Sequence, residues 1–296
     1  KFDILLELSK ECRSDLIREF KPTIAITLKW KFDYLNKTYE SPFELESDLD
    51  HWIKVFQIFK RLGNLEWYKF DDDKNSPDAW QRTAEGFDLG WTSTTKKEDF
   101  ENSQKIAKDR LDQIIELIGD KNYFRGKEIF DSGCGPGRYI DLISNMNPKK
   151  IIGMEQGDLL VSALTERFKG NDKIQIDKGS CHQLEKYSDN SFDFVFSNGV
   201  LHHTPHDMPT MIAEHSRILK KDGIMFIMLV GHGGLELKIW EFIRGFLFDV
   251  PLKNMLNQFS DKLSPLRMQG IVDHMYGEYQ QITREKFETV CNKLFS

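Results

Sequence analysis

The sequence has few of the features that mark a secreted, metal-binding or membrane-spanning chain. Only four of its 296 residues are cysteine and none forms a CxxC pair, so neither a zinc site nor a dithiol redox centre is predicted. The longest unbroken apolar run, Ile224–Val230, is far shorter than the roughly 20 residues that a bilayer-spanning helix needs. Isolated thiols are typical of a reducing compartment. We therefore expect a cytoplasmic protein without a membrane partner.

The chain also lacks an excess of positive charge. It carries 41 lysine and arginine residues against 47 aspartate and glutamate residues, a formal net charge of −6 with neutral histidine. Proteins that bind nucleic-acid phosphates usually present a basic face. The balance argues against an RNA or DNA partner, although it leaves room for a local basic patch.

The pattern of apolar residues divides the sequence into two parts. Residues 1–102 show helical spacing, as in 52–62, and a polar, turn-rich stretch over 70–99 that predicts a loop-rich connector. In residues 103–296 a helix is followed by short apolar runs that alternate with helical patterns. This alternation predicts an α/β fold with a doubly wound, mostly parallel sheet. The N-terminal part would then be a helical cap, and 231–282 a helical insertion after the fifth strand that forms an acceptor pocket.

Short apolar runs and helical patterns give the predicted elements of the second part. The predicted strands are 128–131, 151–155, 174–177, 192–197 and 224–230. The predicted helices that connect or follow them are 138–145, 158–168, 208–219, 235–248 and 284–294.

A glycine-rich loop after the first predicted strand is the strongest functional signal. It reads Asp131-Ser132-Gly133-Cys134-Gly135-Pro136-Gly137 and leads directly into a helix. Glycines permit a sharp turn and let a ligand approach the backbone without an intervening Cβ. The spacing is GxGxG rather than the GxGxxG of dinucleotide-binding folds, and the GK[ST] of a P-loop is absent. An aspartate at the strand end suits a ligand with an ammonium or hydroxyl group better than a phosphate.

A second carboxylate, Glu155, ends the next predicted strand, 22 residues after Gly133. A carboxylate at this place can accept hydrogen bonds from both hydroxyls of a ribose. The other interpretation is a solvated surface glutamate. The position at the carboxyl end of a strand, next to the glycine loop, favours the ribose role.

Together these motifs resemble those of the class I S-adenosylmethionine-dependent methyltransferases. The similarity runs from Lys127 to Val230 and rests on four blocks: Asp131–Gly137, Gly153–Glu155, Phe192–His203 and Arg217–Gly223. The resemblance implies a Rossmann-like methyltransferase fold, S-adenosylmethionine as cofactor and S-adenosylhomocysteine as product. It also implies transfer of a methyl group to an O, N or S atom, while saying little about the acceptor. The family normally ends with two more strands as a hairpin, whereas this sequence stops at Ser296. Either the sequence is incomplete or the protein departs from the pattern, so no prediction is made for the outer edge of the sheet.

The resemblance also implies a set of site residues. The glycine loop would lie under the methionine part of the cofactor, Asp131 would help hold its amino group and Glu155 would bind its ribose. Ser180 stands where the family often has aspartate, so its contact with the adenine is expected to be weaker. The implied cofactor-binding residues are Asp131, Gly133, Cys134, Gly135, Gly137, Glu155, Gln156, Ser180, Cys181, Asn198 and Gly199. Trp91 and Tyr139 are candidate substrate or cap residues.

Three histidines follow the fourth predicted strand in Leu201-His202-His203-Thr204-Pro205-His206. A metal site is disfavoured, because no nearby carboxylate or cysteine completes a familiar ligand spacing and the proline forces a turn. The resemblance places His202 and His203 beside the active site, where one of them could be a general base near neutral pH. The alternative is structural, with one ring packed in the core and the other capping a helix. We predict these two as catalytic candidates, and no metal.

The sequence leaves the methyl acceptor open, and we expect a small molecule. The charge balance disfavours nucleic acid, and Ser197-Asn198-Gly199-Val200 replaces the Asn-Pro-Pro-Tyr type motif of base amine methylation. An RNA or protein methyltransferase and a non-catalytic cofactor-binding scaffold are the alternatives. Aromatic residues in 231–282, if exposed together, would suggest a flat or apolar acceptor or a homodimer. Arg110 could meet the cofactor carboxylate or an acidic substrate, but a surface position is the expectation.

Overall fold

The computed structural model describes most of the chain, in segments that cover residues 1–11, 15–38, 43–62, 79–93, 97–231, 235–247, 250–259 and 263–295. The contacts divide it into two compact units. The first unit comprises Lys1–Ser76, Gly233–Asp261 and His274–Tyr276. The second unit comprises Pro77–His232, Lys262–Asp273 and Gly277–Ser296.

The strands are β1 (Glu128–Ser132), β2 (Lys150–Glu155), β3 (Ile174–Lys178), β4 (Phe192–Asn198) and β5 (Leu219–Met228). The α-helices are α1 (Phe2–Glu11), α2 (Asp15–Thr38), α3 (Phe43–Leu62), α4 (Ala79–Ser93), α5 (Lys97–Ile118), α6 (Arg138–Ser144), α7 (Asp158–Arg167), α8 (Met208–Ile218), α9 (Leu235–Phe246), α10 (Leu252–Phe259), α11 (Pro265–Ile271) and α12 (Arg284–Leu294). A 3-10 turn covers Leu201–His203, and a π-helical turn covers Val272–Tyr276.

All five strands lie in one parallel sheet of the second unit, in the order β3-β2-β1-β4-β5. This confirms the predicted doubly wound α/β fold. β1 lies between β2 and β4, and Asp131 pairs in register with Gly153 on one side and Phe196 on the other. The strand order reverses at β1, and open α/β sheets bind ligands outside the carboxyl ends of the strands at such a point.

Helices cover both faces of the sheet, which explains why its strands are almost continuously apolar. Neighbouring residues of a strand point to opposite faces. Thus Ile129 and Phe194 pack with buried residues of α5 and α6, while Phe130 and Val195 pack with buried residues of α8. The buried core of the second unit therefore holds the carboxyl ends of β1 and β4 in place.

The prediction of a loop-rich connector over residues 70–99 is wrong for residues 79–93, which form α4. Thr83, Gly86 and Gly90 are buried on one face of this helix. A Cβ at Gly90 would lie 2.0 Å from Gln269 Oε1, so the glycine lets α4 approach α11 closely. Glycines disfavour helices in isolation, and here tertiary packing overrides that preference. Residues 70–78 and 94–96 lie outside the described part of the chain.

The second unit begins before the boundary predicted at residue 102. Helix α4 makes its contacts with α7 and α11, and α5 makes its contacts with α6 and α11. All of these helices belong to the unit that contains the sheet. Helices α4 and α5 therefore pack within the unit that contains the sheet.

The first unit is helical. Helix α1 packs against α3 and α9, and α2 also contacts both of those helices. The fully buried Lys21 of α2 donates a hydrogen bond from Nζ to the Ser9 carbonyl at 3.1 Å, and its ammonium lies 5.6 Å from the Phe246 ring centroid. These contacts offset part of the cost of burying a charge. Among the described helices, none has both the length and the apolar composition needed to cross a bilayer.

Replacing Phe194 tests the contribution of the sheet core. Its side chain is fully buried, with its ring centroid 5.0 Å from that of Phe124. We expect Phe194→Ala to lower the free energy of unfolding by about 3–5 kcal/mol, because it removes buried area and leaves a cavity. Chemical denaturation followed by circular dichroism measures this change. Leu117→Ala, at a residue that is 87% exposed, is the matched control and should stay within about 0.5 kcal/mol of the parent. Equal losses in both variants would contradict this packing.

Candidate functional site

A cavity of about 250 Å³ lies in the second unit at the carboxyl ends of the strands. Asp131 of β1, Glu155 of β2, Asn198 of β4 and Met228 of β5 all line it. The structure thus brings together the predicted cofactor-binding and cap residues, with the exception of Gly137. Its lining residues include Trp91, Asp131, Gly133, Cys134, Gly135, Tyr139, Glu155, Gln156, Ser180, Cys181, Asn198, Gly199 and His203.

The glycine loop is attached to the neighbouring strand β2. The backbone N–H groups of Gly133 and Cys134 both donate to the Met154 carbonyl, at 2.9 and 3.0 Å. Gly133 has a φ of +68°, and a Cβ there would lie 2.5 Å from a methyl group of Val200. Gly135 has a φ of +52°, and a Cβ there would meet no atom within 4 Å. The first glycine is required by close packing, while the second leaves open space for a ligand against the backbone.

Gly137 has a structural position instead. It precedes α6 with a φ of +76°, and a Cβ there would lie 2.7 Å from Leu164 of α7. It does not line the cavity. Its position permits close packing of the loop on α7, and a direct contact with a cofactor stays a prediction.

The Glu155 carboxylate joins the two sequence motifs. Its Oε2 accepts a hydrogen bond from the Gly135 N–H at 2.9 Å, and its Oε1 accepts one from the Gln156 N–H at 2.8 Å. Burial raises the pKa of this carboxyl, and these backbone hydrogen bonds oppose the rise. The side chain lines the cavity, so the alternative of a solvated surface glutamate does not hold. A carboxylate held this way retains lone pairs for the hydroxyl groups of a ligand.

Asp131 is a buried carboxyl with an unsatisfied oxygen. Asp131 is 4% exposed, and its Oδ2 atom has no hydrogen-bond partner among the described residues. Burial, followed by the negative charge of Glu155, raises its pKa to about 8, and Arg138 acts in the opposite direction. A buried, unsatisfied polar atom requires an explanation. A ligand cation beside the glycine loop would supply the missing partner.

Ser180 and Cys181, which follow β3, line the cavity together with Gln156, which follows β2. Ser180 Oγ is 2.8 Å from His182 Nδ1, so a neighbouring histidine engages the hydroxyl that was predicted to meet the adenine. Burial raises the pKa of the Cys181 thiol to about 12, which keeps it protonated and unreactive near neutral pH. Both residues can form this wall of the cavity, but the cysteine is not a nucleophile.

The structure separates the two candidate catalytic histidines. His202 is 2% exposed and does not line the cavity, whereas His203 does. His203 Nδ1 lies 2.6 Å from the Glu278 carbonyl, and Nε2 lies 3.1 Å from Asp273 Oδ1. The carbonyl can only accept, so Nδ1 donates to it, and Nε2 faces the Asp273 carboxyl. Both ring nitrogens are thus engaged. A general-base role for His203 stays a prediction that requires release of Nε2 from Asp273.

Two arginines line the cavity, of which the sequence analysis expected Arg110 at the surface and missed Arg138. Arg110 Nη1 donates to Asn198 Oδ1 at 2.7 Å, and the Arg138 guanidinium lies 4.4 Å from the centre of the Trp91 ring. The expectation of a surface position for Arg110 is therefore wrong. Its spacing in α5 carried a signal, because Arg110 lies one turn beyond the buried Ala107 on the same helix face. Arg138 directly follows the glycine loop, which was a second signal.

Comparison with known proteins gives a match for the sheet region. Residues 130–227 match a family described as "Methyltransferase domain". The tRNA U34 carboxymethyltransferase of Helicobacter pylori (strain HPAG1) is 24% identical over 149 residues, or 49% of this chain and 57% of that protein. The cyclopropane-fatty-acyl-phospholipid synthase of Escherichia coli (strain K12) is 23% identical over 236 residues, or 74% of this chain and 58% of that protein.

One solved structure that aligns with the chain is an S-adenosylmethionine-dependent methyltransferase from Archaeoglobus fulgidus. The TM-score is 0.43 and the sequence identity 17%, over 67% of this chain and 71% of the other. The chain spans a little over half the length of the two curated relatives described above.

Replacing Asp131 by asparagine should stabilise the ligand-free protein in a pH-dependent manner. Its ordinary pKa is 3.8 and its pKa in the folded protein is about 8. Between these values the unfolded chain loses a proton that the folded protein keeps, so stability falls as pH rises. We expect the Tm advantage of Asp131→Asn to be near zero below about pH 4 and to grow until about pH 8. Thermal unfolding across this range measures it.

Asp222→Asn, which changes an exposed aspartate, serves as the control for this pH series. Its Tm should follow the parent at every pH. Parallel curves for Asp131→Asn and the parent would mean that the Asp131 carboxyl ionises as easily in the folded protein as in the unfolded chain.

Proposed function

We propose that this chain, whose residues 130–227 match a methyltransferase domain, is a class I methyltransferase that transfers a methyl group from S-adenosylmethionine to an O, N or S atom of a small molecule. The observation that carries this proposal is the arrangement of three features around one cavity. These are the unsatisfied Asp131 carboxyl, the open backbone at Gly135 and the anchored Glu155 carboxylate. They lie at the point where the strand order reverses.

The residues present fit the cofactor. Asp131 would pair with its ammonium group, which supplies the partner that Oδ2 lacks among the described residues. Glu155 would accept hydrogen bonds from the ribose hydroxyls, and Gly135 would let the methionine part lie against the backbone. Gln156 and Ser180 would border the adenine. When bound, the cofactor would supply a methyl group on a sulfonium, which the acceptor's nucleophile takes by in-line displacement while S-adenosylhomocysteine leaves.

The protein's own contribution to this reaction is positioning and exclusion of water. Phe87 and Trp91 of α4 and Ile106 of α5 provide an apolar wall of the cavity. His203 and Asp273 lie on the lining as well. A proton acceptor matters when the nucleophile is a hydroxyl group, less for a neutral amine and not for a thioether. The His203–Asp273 pair is the candidate for that role in the first case.

The names of the two relatives indicate different acceptors: a tRNA for the Helicobacter pylori protein and a phospholipid for the Escherichia coli protein. We favour a small molecule for this chain because the net charge is −6 and because Phe87, Trp91 and Ile106 give the cavity an apolar wall. A direct comparison uses methyl-labelled S-adenosylmethionine with three acceptor pools: small-molecule extract, bulk tRNA and phospholipid vesicles. Label in the first pool alone supports the proposal. Label in either of the others replaces it, and cofactor binding without any label supports the scaffold alternative.

Replacing Glu155 tests the cofactor site directly. We expect the parent protein to bind S-adenosylmethionine and S-adenosylhomocysteine in calorimetric titrations, and not to bind NAD. Glu155→Ala should weaken both affinities about ten- to a hundredfold, because hydrogen bonds to a charged group contribute about 1.5–3 kcal/mol each. The same substitution also releases the Gly135 N–H from its anchor.

Glu166→Ala is the matched control for this titration. Glu166 is exposed and forms only a surface ion pair with Lys169, at 3.4 Å. Its removal should leave both affinities unchanged. The assignment of the cavity is wrong if the folded parent binds neither compound, or if the two alanine variants bind equally well.

A further inference from the structure

Two cationic side chains in the cavity form no ion pair with any described residue. Arg138 of α6 contacts the Trp91 ring through its guanidinium, which forms no ion pair or hydrogen bond with another described residue. Arg110 of α5 has hydrogen-bond partners in Asn198 and Tyr139, but these are neutral groups. Both arginines line the same cavity of the second unit. A positively charged surface therefore faces the space that a ligand would occupy.

This arrangement is costly for the ligand-free protein. Burial lowers the pKa of the Arg138 guanidinium, Tyr139 and Asp131 oppose this shift, and the nearby charge of Arg110 adds to it. Removing a guanidinium from water without a matching anion is unfavourable, and buried charges are normally paired. Stacking on Trp91 fixes the plane of the guanidinium but supplies no negative charge. The missing interaction is one that a ligand anion can provide.

The cofactor would add no net negative charge to the cavity. The positive charges of Arg110 and Arg138 are balanced by Asp131 and Glu155 only when both carboxyls are ionised. The cofactor carries a sulfonium, an ammonium and a carboxylate, so it adds one further positive charge. His203 and Asp273 face each other and cancel if both are charged. One negative charge is therefore still lacking once the cofactor is counted.

We propose that Arg110 and Arg138 form an anion subsite, and that the methyl acceptor is a small molecule bearing a carboxylate that this subsite holds. Guanidinium groups bind carboxylates through two parallel hydrogen bonds. Trp91 contacts Arg138, and Phe87 lines the same cavity, so both rings can cover an apolar part of the same molecule. The proposal rests on the proposed function, since it assumes that the cofactor occupies the Asp131 and Glu155 side of the cavity.

The cofactor's own carboxylate is the second source of the same chemistry, and the test must distinguish the two. The parent protein is first saturated with S-adenosylhomocysteine and then titrated with acetate and benzoate. Acetamide and benzamide, which have the same shapes without the charge, are titrated in parallel. Inorganic phosphate is included as an anion of another class. The measurements are repeated with Arg110→Gln, Arg138→Gln and Arg138→Lys.

We expect at least one of the carboxylates to bind the saturated parent at least tenfold more tightly than its amide, and more tightly than phosphate. Both glutamine variants should lose at least tenfold of that affinity. Arg138→Lys should recover part of it, because the charge returns without the planar fork. Arg125→Gln, which changes an exposed arginine that does not line the cavity, should behave as the parent. Affinity for S-adenosylhomocysteine should change less than threefold in all variants.

Three results would overturn the proposal. Carboxylates that bind no better than their amides, or equally well to the glutamine variants, would show that no such subsite exists. Tighter binding of phosphate would change the class of acceptor. A tenfold loss of S-adenosylhomocysteine affinity in the arginine variants, with 5′-methylthioadenosine unaffected, would assign the arginines to the carboxylate of the cofactor.

Failure of the proposed function is a separate outcome. In that case the parent itself does not bind S-adenosylhomocysteine, and the subsite proposal falls with it. Thermal unfolding of each variant shows whether it is folded. If one glutamine variant fails to fold, the other one and Arg138→Lys still decide the outcome.

Discussion

The contact between the Glu155 carboxylate and the backbone of the glycine loop is the interaction on which the site depends. The Gly135 N–H donates to Glu155 from the loop after β1, and the Met154 carbonyl accepts from two further loop N–H groups. The loop is thus attached to the end of β2 rather than to its own strand alone. Because β1 lies between β2 and β4, this attachment fixes the floor of the cavity relative to Asn198.

The same cavity collects charged groups under conditions that disfavour their charged forms. Burial raises the pKa of Asp131 and of Glu155 and lowers that of Arg138. Each shift means that the ligand-free fold tolerates an unfavourable environment for that group. A ligand with both positive and negative groups would relieve these costs together. The buried charged groups that binding requires therefore lower the stability of the ligand-free protein, and packing of the apolar sheet core offsets this loss.

Local motifs predicted the sheet well, because each strand is an apolar run bounded by turn residues. The start of β5 was missed, since the polar residues 220–222 and Gly223 resemble a loop, and an irregularity in register separates the Leu219–Phe192 pair from the regular pairing that begins at Ile224. Helix α4 was missed because its buried face contains glycines. Arg110 reaches the cavity through the packing of α5, which no short-range pattern encodes. The choice between His202 and His203 depends on a 3-10 turn that exposes one ring to the cavity and buries the other.

The most direct test of the account is hydrogen–deuterium exchange of the protein with and without S-adenosylhomocysteine. If S-adenosylhomocysteine binds in this cavity, it should slow exchange in peptides covering residues 131–139, 155–160 and 179–183, at the carboxyl ends of neighbouring strands. Peptides at the amino ends of the strands, around 147–150 and 188–192, should exchange at the same rate in both states. Protection at the amino ends of the strands, or no protection in the glycine loop at saturating ligand, would contradict the placement of the cofactor in this cavity.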